Sequence, residues 1–166
     1  MHGECSVSAR VGVGYDVHQF SADKTHALVL GGVMFPEERG LSGHSDADVA
    51  AHAVADAMLG AAGLGDLGAH FPDDDERWIG ANSLGLLARV AELVKQAGFV
   101  LVNADCTIVC EHPRLVGFRE EMMRNLSVAA GGPVHVKATR PEGLGALGRR
   151  EGISCVAVAM LGEVLS

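Results

Sequence analysis

Aromatic side chains are scarce in this chain of 166 residues: one Trp, one Tyr and five Phe, 4% in all. A core built around stacked rings is excluded, so Val, Leu, Ile, Ala and Met must fill it in close layers. No apolar run reaches about 18 residues, so no segment reads as a membrane-spanning helix. No run of Lys and Arg forms a basic face, and a net charge of −8 argues against a nucleic-acid partner. The four cysteines, Cys5, Cys106, Cys110 and Cys155, make no C-x-x-C pair. Three of them fall in apolar, strand-like segments, which suits reduced core residues better than disulfides or a cysteine zinc site. The opening MHGECSVSAR has neither the h-region of a signal peptide nor an Arg-rich amphipathic pattern. It reads as a frayed tail over residues 1–9 of a cytoplasmic protein.

What the chain has in excess is glycine, with 22 residues where average usage predicts about 12. Such a surplus points to tight turns and close backbone approaches, as in sites that grip phosphates. Apolar residues make up 48% of the chain. Length and composition together suit one globular domain, here residues 10–166.

Periodicity gives an alternating order of elements. Residues 10–15 and 27–35 read as strands, with a bend or bulge at Gly31–Gly32. SDADVAAHAVADAMLGAA (45–62) reads as a helix capped by Ser45 with Asp48 three residues on, and Gly63 is its stop. Residues 64–80 form a long Gly- and Asp-rich loop, of the kind that often carries function. Phe71 before Pro72 suggests that this loop is anchored. Helices are expected at 83–97 and 114–130, the first ended by Gly98 and the second carried by Phe118, Met122 and Leu126. In VLVNADCTIVC (100–110), Val100, Val102, Ala104, Cys106, Ile108 and Cys110 share one face of a strand, and Asn103, Asp105 and Thr107 share the other. VHVKAT and ISCVAVAML complete the strands. The fold class is α/β (α+β): one domain with a mixed, mainly four-stranded sheet and helices on one face.

Four groups of residues can carry chemistry. Asp16 and His18, two apart on a strand, point the same way, and His52 on the first helix can join them. Carboxylate oxygen and imidazole nitrogen are zinc ligands, and three protein ligands leave an open position. The same residues also fit a simple Asp16–His18 pair with His52 solvated between Asp48 and Asp56. GHSDAD (43–48) at a helix start offers N–H groups and the side chains of His44 and Ser45 to an anion. GDLGAHFPDDDE (65–76) has acids that can hold a polyol, or that are simply solvated. KATRPEGLGALGRREG (137–152) combines a glycine turn, Glu142 for a hard cation and arginines for phosphate; an ordinary exposed turn is the other reading.

In chain order, GYDVHQF, GGVMFP, GLSGHSDADVAAHAVADAMLGAAGLGDLGAHFPDDD, TIVCEHPRL, VKAT and GRREGI resemble one family closely, over residues 10–161. That family is 2-C-methyl-D-erythritol 2,4-cyclodiphosphate synthase. The resemblance implies conversion of 4-diphosphocytidyl-2-C-methyl-D-erythritol 2-phosphate to the cyclic diphosphate with release of CMP. It also implies a homotrimer, with sheets facing the threefold axis and active sites between subunits. By motif match, Asp16, His18 and His52 hold Zn²⁺, and Glu142 holds Mg²⁺ or Mn²⁺ with the substrate diphosphate. His44 is the match to a transition-state stabiliser, and Ser45 contacts substrate phosphate. Asp66, Leu67, Gly68, Phe71, Pro72, Asp73 and Asp75 match the erythritol end. Cys110, Pro113, Arg114 and Leu115 match the cytosine pocket, Thr139 matches a diphosphate contact, Ala146 a substrate contact, and Arg149 matches a residue reaching a phosphate or the trimer axis.

The chain departs from the family pattern in one region. The usual T-T-T-E reads Thr139, Arg140, Pro141, Glu142, so Arg140 stands where a second transition-state threonine is expected. The usual T-G-R-G-E-G reads Leu147, Gly148, Arg149, Arg150, Glu151, Gly152. A guanidinium is a stronger phosphate partner than a hydroxyl, so Arg140 is expected in the catalytic role. The alternative reading is a metal-bearing trimer of weak activity that binds an isoprenoid diphosphate or a nucleotide.

Overall fold

The structure is a computed structural model, describing residues 9–164 apart from Lys24, Asp73, Asp75 and Ile79. Asp73, Asp75, Cys5 and nearly all of the expected tail therefore lie outside the described residues. Ala9 already belongs to β1 (Ala9–Gln19), which runs beyond the expected 15 to include both Asp16 and His18. β2 (Ala27–Leu30) and β3 (Val33–Arg39) follow as a separate hairpin. Gly31 and Gly32 form its turn, with φ of 57° and 71°. Two successive left-handed residues match the twist of a tight hairpin, so the glycine pair reverses the chain rather than bulging one strand.

The first helix, α1 (Val49–Ala62), starts later than expected. Its cap is Asp48, whose carboxylate accepts from the N–H groups of Ala50 and Ala51, while Ser45 lies outside the helix. Asp48 also accepts from Gly31 and Gly32 at 2.8 and 2.7 Å, tying the hairpin turn to the helix start. The loop after α1 contains α2 (Leu67–His70) and a 3-10 turn at Glu76–Trp78. Then come α3 (Ser83–Gln96), β4 (Phe99–Val109), α4 (Arg119–Ala130), β5 (Val134–Thr139), α5 (Gly145–Gly148) and β6 (Gly152–Glu163). Residues 114–118 form the approach to α4 rather than its first turn.

Among the described residues, the main sheet has the order β1-β6-β4-β5, with β4 and β5 parallel and the other pairs antiparallel. The expected mixed four-stranded sheet is present, and α1, α3 and α4 form a helical layer over it. β4 does not keep one alternation throughout. The pairing with β6 shifts between Leu101 and Asn103. This extra residue turns Val100 and Val102 outward, where they are exposed, while Ala104, Cys106 and Ile108 stay buried.

β1 lies so close to α1 that only glycine fits between them. A Cβ on Gly14 would stand 2.0 Å from the carbonyl oxygen of Ala53, and one on Gly12 2.1 Å from that of Ala57. The odd-numbered side chains of β1 point away from the helices. Val11, Val13, Tyr15 and Val17 remain exposed, as do Val156 and Val158 on β6. The sheet therefore has one buried face and one open, apolar face. His18 pairs with Ile153, and Val109 pairs with both Ser154 and Thr139. This register brings the carboxyl ends of β1, β4 and β5 to one end of the sheet.

Candidate metal centre and a second cleft

Asp16 and His18 leave the end of β1 toward α1, and His52 meets them from the first turn of that helix. Asp16 Oδ2 lies 3.0 Å from His52 Nδ1 and 3.2 Å from His18 Nε2. The three ligand atoms all lie within 4.8 Å of one another, and this is the group of metal-ligating side chains found among the described residues. The pairing of Asp16 and His18 with a separate, solvated His52 is therefore not what forms. Asp48, four residues before His52, is fully buried against the hairpin turn.

The far side of each imidazole shows which nitrogen carries the proton. His18 Nδ1 lies 2.6 Å from the carbonyl oxygen of Ser42, a group that can only accept. His18 therefore donates there from Nδ1–H, and its Nε2 faces Asp16. His52 Nε2 lies 2.9 Å from Ser83 Oγ and 3.1 Å from Ser45 Oγ. Ser83 has one hydroxyl proton, and Asp46 Oδ1 takes it. Ser83 must then accept from His52 Nε2–H, and His52 Nδ1 faces Asp16. One nitrogen of each ring is thus engaged behind the cluster while the other is turned to a single carboxylate oxygen. Two imidazole nitrogens plus a carboxylate oxygen are suitable donors for a divalent cation. Burial pushes the Asp16 carboxyl up, but the hydrogen bonds and charges of His18 and His52 more than reverse this, holding it well below the usual carboxylate range.

A cleft of about 400 Å³ opens over the cluster. His44, Ser45, Asp66, Leu67, Gly68 and Phe71 all line it; Pro72 is exposed beside it. Phe71 is anchored by edge-to-face contact with Trp78, the centroids 4.9 Å apart. Asp66 caps α2 through the N–H of Ala69 at 2.9 Å. Asp56, one turn beyond His52, accepts from Leu67 N–H at 2.7 Å and ties this loop to α1. Burial raises the Asp56 carboxyl above its ordinary range, and the charges of Asp66 and Asp16 add to the effect. The wall is therefore acidic, suited to a cation and to hydroxyl donors.

A second cleft, of about 460 Å³, lies where the parallel strands β4 and β5 end. Cys110, Pro113, Arg114, Leu115, Thr139, Arg140 and Glu142 line it, so two segments far apart in sequence meet there. Cys110 is buried, which with the Glu111 charge pushes its thiol up to about 11. It is a neutral wall residue, not a nucleophile. Ala146 in α5 and Arg149 at its end do not line this cleft, and Arg149 pairs with Glu151 at 2.7 Å. The two clefts share no lining residue.

A family model described as the YgbB family matches residues 9–162. The chain belongs to the YgbB family. It is 51% identical over 155 residues to the 2-C-methyl-D-erythritol 2,4-cyclodiphosphate synthase of Alkaliphilus oremlandii, covering 92% of this chain and 98% of that protein. Among solved structures, the bifunctional IspDF from Campylobacter jejuni superposes with a TM-score of 0.90 at 38% identity; the match covers 96% of this chain and 43% of that longer one. A CDP complex of IspF from Plasmodium falciparum superposes with a TM-score of 0.81 at 28% identity, covering 95% and 98% of the two chains.

The supporting roles of three residues at this YgbB-family site escape sequence reasoning. Ser83 and Asp46 support His52 from behind, but a serine at a helix start reads only as a cap. Asp56 had a usable signal, since it follows His52 by four residues on α1 and so shares its face.

Proposed function

We propose that this chain converts 4-diphosphocytidyl-2-C-methyl-D-erythritol 2-phosphate to 2-C-methyl-D-erythritol 2,4-cyclodiphosphate and CMP, a cyclising phosphorus–oxygen lyase step of non-mevalonate isoprenoid biosynthesis. The observation that carries the reading is the Asp16–His18–His52 cluster, its imidazole protons committed elsewhere, facing an acidic cleft. Curated relatives of about the same length and roughly half identical in sequence are named for this activity.

Asp16, His18 and His52 would hold Zn²⁺, and Glu142 would hold Mg²⁺ or Mn²⁺ with the substrate diphosphate. Bound there, such ions would supply Lewis acidity to diphosphate oxygens and neutralise developing charge. The chain's own residues supply position. Asp56 and Asp66 accept from the hydroxyls of the erythritol end, and Leu67, Gly68 and Phe71 shape that wall. His44 and Ser45 stand at the cluster to receive phosphate. The second cleft takes the cytidine nucleotide. One oxygen of the 2-phosphate bonds to the β-phosphorus, the bond from that phosphorus to the bridging oxygen breaks, and CMP leaves with the electron pair. The nucleophile belongs to the substrate, so folding it into line replaces an enzyme nucleophile.

The reading includes a homotrimer with active sites between subunits. Two features support it. The open face of β1 and β6 is apolar and needs cover. The metal cleft and the second cleft share no lining residue within one chain, which suits a site that a neighbour's second cleft completes.

The test is CMP release from the CDP-linked substrate by folded protein loaded with Zn²⁺ and Mg²⁺, with the cyclic product followed by phosphorus NMR. Cyclic diphosphate and CMP in equal amounts are expected. No release by metal-loaded protein would overturn the reading.

A further inference from the structure

The two arginines that break the family pattern, Arg140 and Arg150, lie ten residues apart in sequence, yet both flank one carboxylate. That carboxylate is Glu111, in the turn after β4. Its side chain is only 6% exposed. Oε2 accepts from Arg140 Nη2 at 2.8 Å and Nε at 3.0 Å. Oε1 accepts from the N–H of Gly143 at 2.6 Å. The Gly143 N–H, the Arg140 hydrogen bonds, and the charges of Arg140 and Arg150 hold the Glu111 carboxyl below its ordinary range. Arg150 keeps its place despite a φ of 61°, a conformation that favours glycine.

The geometry joins two turns. Residues 110–115 form one wall of the second cleft and residues 139–142 the other. Glu111 reaches from the first wall and grips the second at two points, a side chain and a backbone N–H. Pro141 contributes no N–H to this turn, and Glu142 takes a φ of 52° beside Gly143 at 75°. The grip therefore falls on a turn whose backbone is tightly constrained. Both donor sites of the Arg140 fork named above are spent on Glu111.

We infer that Arg140 is a positioning residue that acts through Glu111 to fix the spacing of the two walls, and that it governs nucleotide affinity rather than the chemical step. The inference rests on the reading of the second cleft as the cytidine nucleotide site. A threonine at position 140 could not span to Glu111 with a two-pronged bond, so this latch is a property of the chain's own departure from the family pattern.

The experiment measures CDP binding by calorimetry on the full chain and on Arg140→Ala, Arg140→Lys, Glu111→Gln and the Arg140→Ala/Glu111→Gln double variant, with steady-state kinetics on each. Arg140→Ala and Glu111→Gln are each expected to weaken CDP about tenfold, the scale of one lost charge-assisted hydrogen bond. The double variant should lose no more than the worse single one, because both remove the same latch. KM should rise while kcat stays within about twofold, as expected when binding is lost without loss of transition-state contacts. Arg140→Lys should recover part of the affinity. Unchanged CDP affinity in both single variants would overturn the inference, as would a fall in kcat with KM unchanged in Arg140→Ala. If either single variant does not fold, the other decides. If the unaltered chain binds no CDP, the nucleotide reading itself fails and takes the latch with it.

Discussion

Ser83 Oγ lies 2.9 Å from His52 Nε2, and the hydroxyl proton of Ser83 goes to Asp46. The nitrogen of His52 that faces Asp16 is thereby selected by a serine 31 residues away that is not itself one of the three ligating residues. Ser83 is 1% exposed, so water cannot readily take its place.

Replacing Ser83 by Ala leaves His52 Nε2–H with only the longer contact to Ser45. Zinc affinity should fall about 10- to 100-fold, the usual scale for a lost partner behind a ligating imidazole. Competition with a chromogenic chelator measures it. Ser83→Thr keeps the hydroxyl and should stay close to the unaltered protein.

Gly14→Ala tests the contact between strand and helix. The added methyl would meet the Ala53 carbonyl oxygen, one residue from His52, at 2.0 Å. The backbone must move, which should cost at least about 2 kcal/mol on the scale of overpacked cores. Denaturant unfolding measures the loss, and chelator competition should show weaker metal binding in the same variant.

The open face predicts an assembly defect. Val13→Asp places a charge where Val13 is 67% exposed in the single chain. In a trimer closed over this face the charge would be buried, so sedimentation should show monomer. Zinc affinity should persist, because the three ligands come from one chain. An unchanged trimer would place the interface elsewhere.

Glu111 gives a pH dependence with a definite sign. Its carboxyl is held below the ordinary glutamate value of 4.5, first by the Gly143 N–H and then by Arg140. A carboxyl depressed in the folded state contributes stability that is fully present above 4.5 and is lost as pH falls through the lower folded value. The gap in melting temperature between the unaltered chain and Glu111→Gln should thus be constant from neutral pH down to about 5 and close below it. Melting curves across that range check this.

The metal cluster was legible in the sequence because a strand repeats every two residues: Asp16 and His18 had to share a face once β1 formed. The parallel pair β4 and β5 was visible as strands but not as neighbours, since pairing depends on contacts between distant segments. Val100 and Val102 were misplaced because a one-residue bulge inverts alternation without changing composition. Ser45 fits the local cap pattern, whereas Asp48 wins through the hairpin turn, a contact 17 residues distant. Ser83 and Glu111 were missed as supporting residues for the same reason: each acts across a gap of about thirty residues, closed only by the fold.

β1 has the character of a reading frame. Its even positions, Gly12, Gly14, Asp16 and His18, face the helix, and its odd positions, Val11, Val13, Tyr15 and Val17, face outward. A slip of one residue against β6 would exchange the two sets at a stroke. Asp16 and His18 would then face outward and valines would face His52. The metal-ligating group and the open apolar face are in this sense two messages written on one strand, and insertion or deletion of a single residue in it should erase both together.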